Sequence, residues 1–132
     1  MQYGRLNIIA GCTVIFIAAI GGFALAFSLD PLFEKGFYAP SYARTLLKAG
    51  HSHGMPFALY NMIVGGLVDR LALSDPLKRW LSYLAVGAFL MPLGLTLRGM
   101  TGGSMAFAPV VLLGALCFLA SAGLTLKGAL KA

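Results

Sequence analysis

Four long apolar runs organise the chain, separated by short clusters of glycine, proline, acidic and basic residues. A bilayer-spanning helix needs about 20 mostly apolar residues. Runs of that kind lie at about 6–28, 51–68, 80–97 and 105–125. The first and fourth are the most uniform, and the second is broken by His53, Tyr60 and Asn61. Between the first two runs, Leu29 to Gly50 carries DP, KG and AP turn signals. Its later part, SYARTLLKA, follows Pro40 with helical spacing. It predicts a short interfacial helix over about 40–49, with Tyr38, Tyr42 and the basic residues at headgroup level. The second and third runs meet at LSDP, where Ser74 or Asp75 can cap the next helix and Pro76 sits early in it. GMTGGS separates the third from the fourth.

Composition agrees with this pattern. Hydrophobic residues make up 59% of the 132 and charged residues 11%, against roughly 45–50% and 25% in soluble domains. The expected fold class is therefore all-α, a single integral membrane four-helix bundle over residues 1–132. Cys12 and Cys117 lie in apolar runs and read as packing residues, with no CxxC motif. The first run is too long for a signal sequence, and no small-residue cleavage site follows it. The stretch IIAGC resembles a lipoprotein box, but its cysteine precedes most of the apolar run instead of following it. The run is expected to remain as a span.

The net charge of +6 is spread singly over the ends of apolar runs, as topology signals are, and no basic stripe points to nucleic acid. One side of the bundle holds Arg5, Arg70, Lys78, Arg79, Lys127 and Lys131, and the other Lys35, Arg44, Lys48 and Arg98. This bias predicts both termini in the cytoplasm, with a bacterial inner membrane as the expected location. Only four acids occur, none expected mid-membrane, which argues against a proton-coupled exporter.

Chemistry has few places to reside. The histidines are His51 and His53, in KAGHSHGMPFALYN. Two residues apart on a helix point about 200° apart, so both cannot face one interior. Tyr60 and Asn61 follow His53 by seven and eight residues, near its face. Beside them Gly54, Ala58, Asn61 and Gly65 form a small-residue groove that lets a flat group approach. A histidine over such a groove suits a planar macrocycle, and neutral imidazole is a usual axial ligand of heme iron. A weaker reading is a copper or zinc site from His51, His53 and Met55; a closed zinc site needs four ligands. Met62, Met91, Met100 and Met105 read as packing residues. Gly21-Gly22, Gly65-Gly66 and Pro92 read as close-contact and kink positions, with Pro92 able to open a pocket opposite His53.

The run SHGMPFALYNMIVGG, Ser52 to Gly66, resembles the second-helix motif of heme-copper oxidase subunit I. With SDPLKRWLSYL it is also similar to the styrene oxide isomerases. The resemblance is specific over roughly fifteen residues; beyond them only helix number and order agree. It implies His53 as the axial ligand of heme b, ferric heme acting as a Lewis acid, and a homo-oligomer, a trimer in the isomerases. Asn61 follows His53 as an asparagine does there, at a different spacing. The chain departs from both families. It has no second distant histidine, and the third helix carries Tyr83 without an acid. A bound iron would be five-coordinate, take Met91 or Met105, or borrow a ligand from another subunit.

Heme propionates would need cations on the histidine side of the bundle. Arg98 is the first candidate, Arg44 the second, while Lys48 reads as an interfacial anchor. The leading expectation is thus a heme b-binding membrane protein, with His53, Tyr60, Asn61, Arg98 and Arg44 about the cofactor and a small apolar substrate or gas on the free iron face. A rival reading is a cofactor-free accessory or structural subunit of a larger membrane complex.

Overall fold

The structure is a computed structural model and describes residues 3–33 and 42–131. Lys35, Tyr38 and Pro40 lie outside the described residues. Every regular element among the described residues is helical: α1 (Arg5–Phe33), α2 (Tyr42–Leu67), α3 (Asp75–Gly87), α4 (Leu90–Met100) and α5 (Ala108–Ala129). Short 3-10 turns follow α2 and precede α5. Tyr3 N–H donates to Asp69 Oδ1 at 3.1 Å. Ala72 N–H donates to Gly128 O at 3.3 Å. The start of α1 and the end of α5 therefore share one end of the bundle.

α3 and α4 form a single rod, Asp75–Met100, with a tightened turn between them. Pro92 causes it. Proline has no N–H to offer the Ala88 carbonyl and its ring crowds that group. Met91 N–H donates to Ala88 O instead, at 3.1 Å, and Phe89 N–H to Val86 O at 3.1 Å. Ala88 and Phe89 keep right-handed helical dihedrals, so the rod stays continuous.

Among the described residues three helices are long and apolar enough to cross a membrane: the start of α1, the α3–α4 rod and α5 with its preceding turn. α2 is not one of them, although its 26 residues span about 39 Å. It is the polar member because it is the enclosed one, with Leu46, Gly50, Phe57, Ala58, Asn61 and Val64 buried. The expectation of a fourth spanning run at about 51–68, the least uniform of the four, is met by a helix that falls short of the apolarity of the other three.

Two further corrections concern helix ends. Residues 42–49 are the first two turns of α2, not a separate helix: the helix runs without a break from Tyr42 to Leu67, and its interior proline, Pro56, lies beyond this segment. α1 runs past the DP signal to Phe33. At LSDP, Ser74 takes the N-cap position with extended dihedrals, but its side chain makes no capping bond.

α2 is held against its neighbours by close contact and by buried amides. A Cβ on Gly65 would lie 2.8 Å from Gly4 O, and one on Gly11 would lie 2.7 Å from Ala58 O. Only hydrogen at these positions lets the two backbones meet. Beside this seam Asn7 and Asn61 are both 0% exposed. Asn7 Nδ2 donates to Asn61 Oδ1 at 2.9 Å and to Ser82 O at 3.0 Å. Asn61 Nδ2 donates to Phe57 O at 3.1 Å and Ala85 O at 2.7 Å. The Ser82 hydroxyl is shared between Tyr3 O and Asn7 Oδ1. This network ties α1, α2 and α3 together.

Asn61→Ala is expected to destabilise the bundle by about 1–3 kcal/mol, since it leaves Asn7 and Ala85 O buried without their partner. Tyr60→Phe, which removes one hydroxyl, should cost about 1 kcal/mol or less. Reversible denaturation in detergent measures both.

Candidate functional site

The site is built on the GHSHG stretch of α2. Helical geometry sends the two imidazoles to different neighbours. His51 turns toward α1, where the ring lies against Gly22: a Cβ there would be 2.8 Å from His51 Cε1 and 3.2 Å from Nε2. Its Nδ1 is buried and has no hydrogen-bond partner. The imidazole lines a cleft of about 720 Å³ between α1, α2 and the α3–α4 rod. The volume falls within the range of small-molecule and cofactor sites. Ile17, Ala18, Gly54 and Pro92 form part of its wall. Its polar lining side chains are those of His51, Tyr83 and Thr96, and Thr96 Oγ1 is spent on Pro92 O at 2.9 Å. His51 and Tyr83 are thus the side chains with chemistry to offer a ligand.

His53 faces the other way. Its Nδ1 lies 2.8 Å from Ala49 O, one helical turn back. A carbonyl can only accept, so this contact places the proton on Nδ1 and leaves the Nε2 lone pair as the ring's acceptor. The ring meets Phe57 edge-on, with centroids 6.2 Å apart. Phe57 in turn stacks on Phe118 of α5 at 4.6 Å. The sequence reading put His53 over the small-residue groove; the structure lines the cleft with His51. The pocket expected opposite His53 at Pro92 exists, but His51 occupies its wall. About half a turn of helix decides between two residues of the same type, and the pattern of α2 alone did not fix its rotation.

The other expected site residues are engaged elsewhere. Tyr60 donates to Ser121 Oγ at 3.0 Å, and Thr125 Oγ1 lies 3.4 Å away. Asn61 belongs to the buried amide network. These two residues join helices and are not gathered with the histidines. Arg98 Nε donates to Ser104 O at 3.2 Å, and its Nη2 reaches Tyr42 OH at 3.0 Å and Met105 Sδ at 3.1 Å. It ties the start of α2 to the end of α4 and the loop after it. In that loop Gly102 and Gly103 take the positive φ values of 68° and 96°, which glycine adopts without strain. The Met91 backbone packs against Gly114 of α5, on a side of the rod away from the cleft.

Arg44 is half-buried and precedes His51 by seven residues. That spacing puts it on the same face of α2, about 10 Å nearer the helix start. Met55 follows His51 by four residues on that face. Because His51 and His53 diverge, His51, His53 and Met55 do not converge on one ion. Among the described residues no group of three His, Cys, Asp or Glu is placed to hold a metal.

Asn7 and Gly22 were not singled out by role from sequence. An asparagine within an apolar run is itself a signal of a buried partner, and the Gly21-Gly22 pair marked a close approach without showing what approaches. No known protein family, curated protein or solved structure matches the chain.

Gly22→Ala is expected to push the far end of the His51 ring toward the cleft, at a cost of about 1 kcal/mol or less because the ring tip has room to move. Gly21→Ala, with nothing within 4 Å of its added Cβ, should be neutral or stabilising by up to about 1 kcal/mol. Parallel unfolding curves of the two variants check the contrast.

Proposed function

We propose that the chain is an integral membrane protein that binds heme b in the cleft beside His51. The observation that carries this reading is the half-buried His51 imidazole, whose buried Nδ1 has no hydrogen-bond partner, on the wall of a largely apolar cleft between helices. The donor set fits the group. Heme is flat and largely apolar, and it is commonly held by a single imidazole. Glycines at 21, 50 and 54 keep the surroundings of His51 low, and Arg44 lies toward the surface end of the same helical face, where it would hold a propionate. Heme bound through one histidine would supply an open iron face for Lewis-acid, gas-binding or redox chemistry. The protein's own contribution is a neutral ligand, exclusion of water by Ile17, Val86 and Leu93, and a lining suited to a small apolar substrate or gas.

The resemblance of the Ser52–Gly66 run to heme-binding second helices supports heme as the group, although it maps its ligand onto His53. The Nδ1 contact of His53 with Ala49 O is the orientation a ligating histidine commonly has. His53 is therefore the second reading for the ligand. The apolar outer faces of α1 and α5, with Phe16 and Leu119 well exposed, fit contact with lipid and with further copies, a trimer by the resemblance. Placement in a bacterial inner membrane with both termini in the cytoplasm rests on the six-to-four bias of basic residues.

Expression with heme supply should yield a purified protein with a Soret band. His51→Ala should abolish or shift it and His53→Ala should leave it. The reverse pattern assigns the ligand to His53. A colourless wild type overturns the heme reading in favour of a cofactor-free subunit of a larger complex. For topology, Cys12→Ala/Cys117→Ala protein carrying Ser104→Cys should react with an impermeant maleimide in intact cells, and the same protein carrying Lys131→Cys should not.

A further inference from the structure

At the end of the bundle where the chain's two ends meet, a second groove of about 520 Å³ opens between α1 and α3. It is lined by Tyr3, Arg5, Leu6, Ile9, Arg79 and Tyr83, with Ser82 at its base. No carboxylate is among its lining residues. The Arg79 guanidinium sits over the Tyr3 ring, 5.8 Å from its centroid. Both arginines are exposed and lie near the starts of helices, whose free N–H groups add positive potential. Of the two acids at this end, Asp69 accepts from Tyr3 N–H, and its main-chain carbonyl accepts from Lys78 Nζ at 2.9 Å. Asp75 starts α3. Against these two stand Arg5, Arg70, Lys78, Arg79, Lys127 and Lys131.

The groove changes character along α1. Arg5 sits at the rim, and Leu6 and Ile9, 44% and 55% exposed, continue from it over the next turn toward the apolar middle of the helix. A free phosphate would use the rim alone. An anionic phospholipid would use both parts, its phosphate oxygens between guanidiniums that bind such groups in pairs of hydrogen bonds and an acyl chain along the leucine and isoleucine. Tyr3 and Tyr83 stand at the boundary, where amphipathic rings are favoured.

We propose that this groove is a binding site for the headgroup of an anionic phospholipid, held by Arg5 and Arg79. The inference rests on the chain spanning a bilayer; the groove shares Tyr83 with the histidine cleft, but Arg5 and Arg79 line the groove and not the cleft.

The test is native mass spectrometry of detergent-solubilised protein titrated with phosphatidylglycerol or phosphatidylcholine. Wild type should bind phosphatidylglycerol about tenfold or more tightly than phosphatidylcholine, and Arg5→Gln/Arg79→Gln should lose about that factor. Arg70→Gln/Lys127→Gln removes the same charge from the same end and should change binding by less than about twofold if the site is local. Inorganic phosphate should not displace the lipid. Helix content by circular dichroism checks that the variants are folded; if the double variant is not, Arg79→Gln alone should weaken binding by about threefold or more. Equal affinity for the two lipids, unchanged binding in the arginine variants, equal loss in the control pair, or full competition by inorganic phosphate would each overturn the proposal.

Discussion

Two asparagine side chains, Asn7 and Asn61, meet where α1, α2 and α3 converge, and the placement of the remaining parts follows from that meeting. Neither amide is exposed, and each is satisfied only by groups from another helix or from its own turn. A buried amide without partners costs about 1–3 kcal/mol, so a rotation of α2 that parted them would be opposed by more than one lost bond. Ser82 and Tyr3 extend the network to the start of α1. In the same layer Gly4 and Gly65 bring the backbones of α1 and α2 together. Amides and glycines act jointly: the glycines permit the approach that the amides require.

The functional geometry is a consequence. With α2 fixed about its axis at Asn61, His51, ten residues earlier, turns toward α1 and meets Gly22. His53 turns toward Phe57 and the aromatic contact with α5. Pro92 tightens the rod opposite His51 and forms part of the cleft wall. The cleft combines glycines at 21, 50, 54 and 87 with larger apolar side chains such as Ile17, Leu47, Phe89 and Leu93, so backbone approach and side-chain packing set its shape together. Tyr60 and Arg98 help to hold this frame. Tyr60 fastens α2 to α5 through Ser121, and Arg98 fastens the opposite end through Tyr42 and Ser104.

The all-helical class and the helix order were legible because long apolar runs and their punctuation report directly on spanning segments. The enclosed position of α2 was less so. Its polar residues marked it as different, but only the partners of Asn61 show that it lies inside the bundle. The boundary at residue 42 was missed because basic residues and Tyr42 read as an interfacial segment, while the helix continues from Tyr42 to Leu67. The site was partly legible: the GHSHG stretch was identified, and Pro92 was placed opposite a histidine. Which histidine depends on the rotation of α2, and that is set by contacts between Asn7 and Asn61, fifty-four residues apart. Spacing along one helix carries no record of such a contact.

The central claim is that this rotation brings position 51, and not position 53, against α1. Paired cysteines test it most directly: the far end of the His51 ring, not its Cβ, meets Gly22, so two thiols at these positions are separated by about the length of an imidazole and call for a short bifunctional reagent in place of a direct disulfide. In protein carrying Cys12→Ala/Cys117→Ala, Gly22→Cys/His51→Cys should cross-link with a short bifunctional thiol reagent, while Gly22→Cys/His53→Cys should not. Cross-linking of the second pair in place of the first would contradict the account.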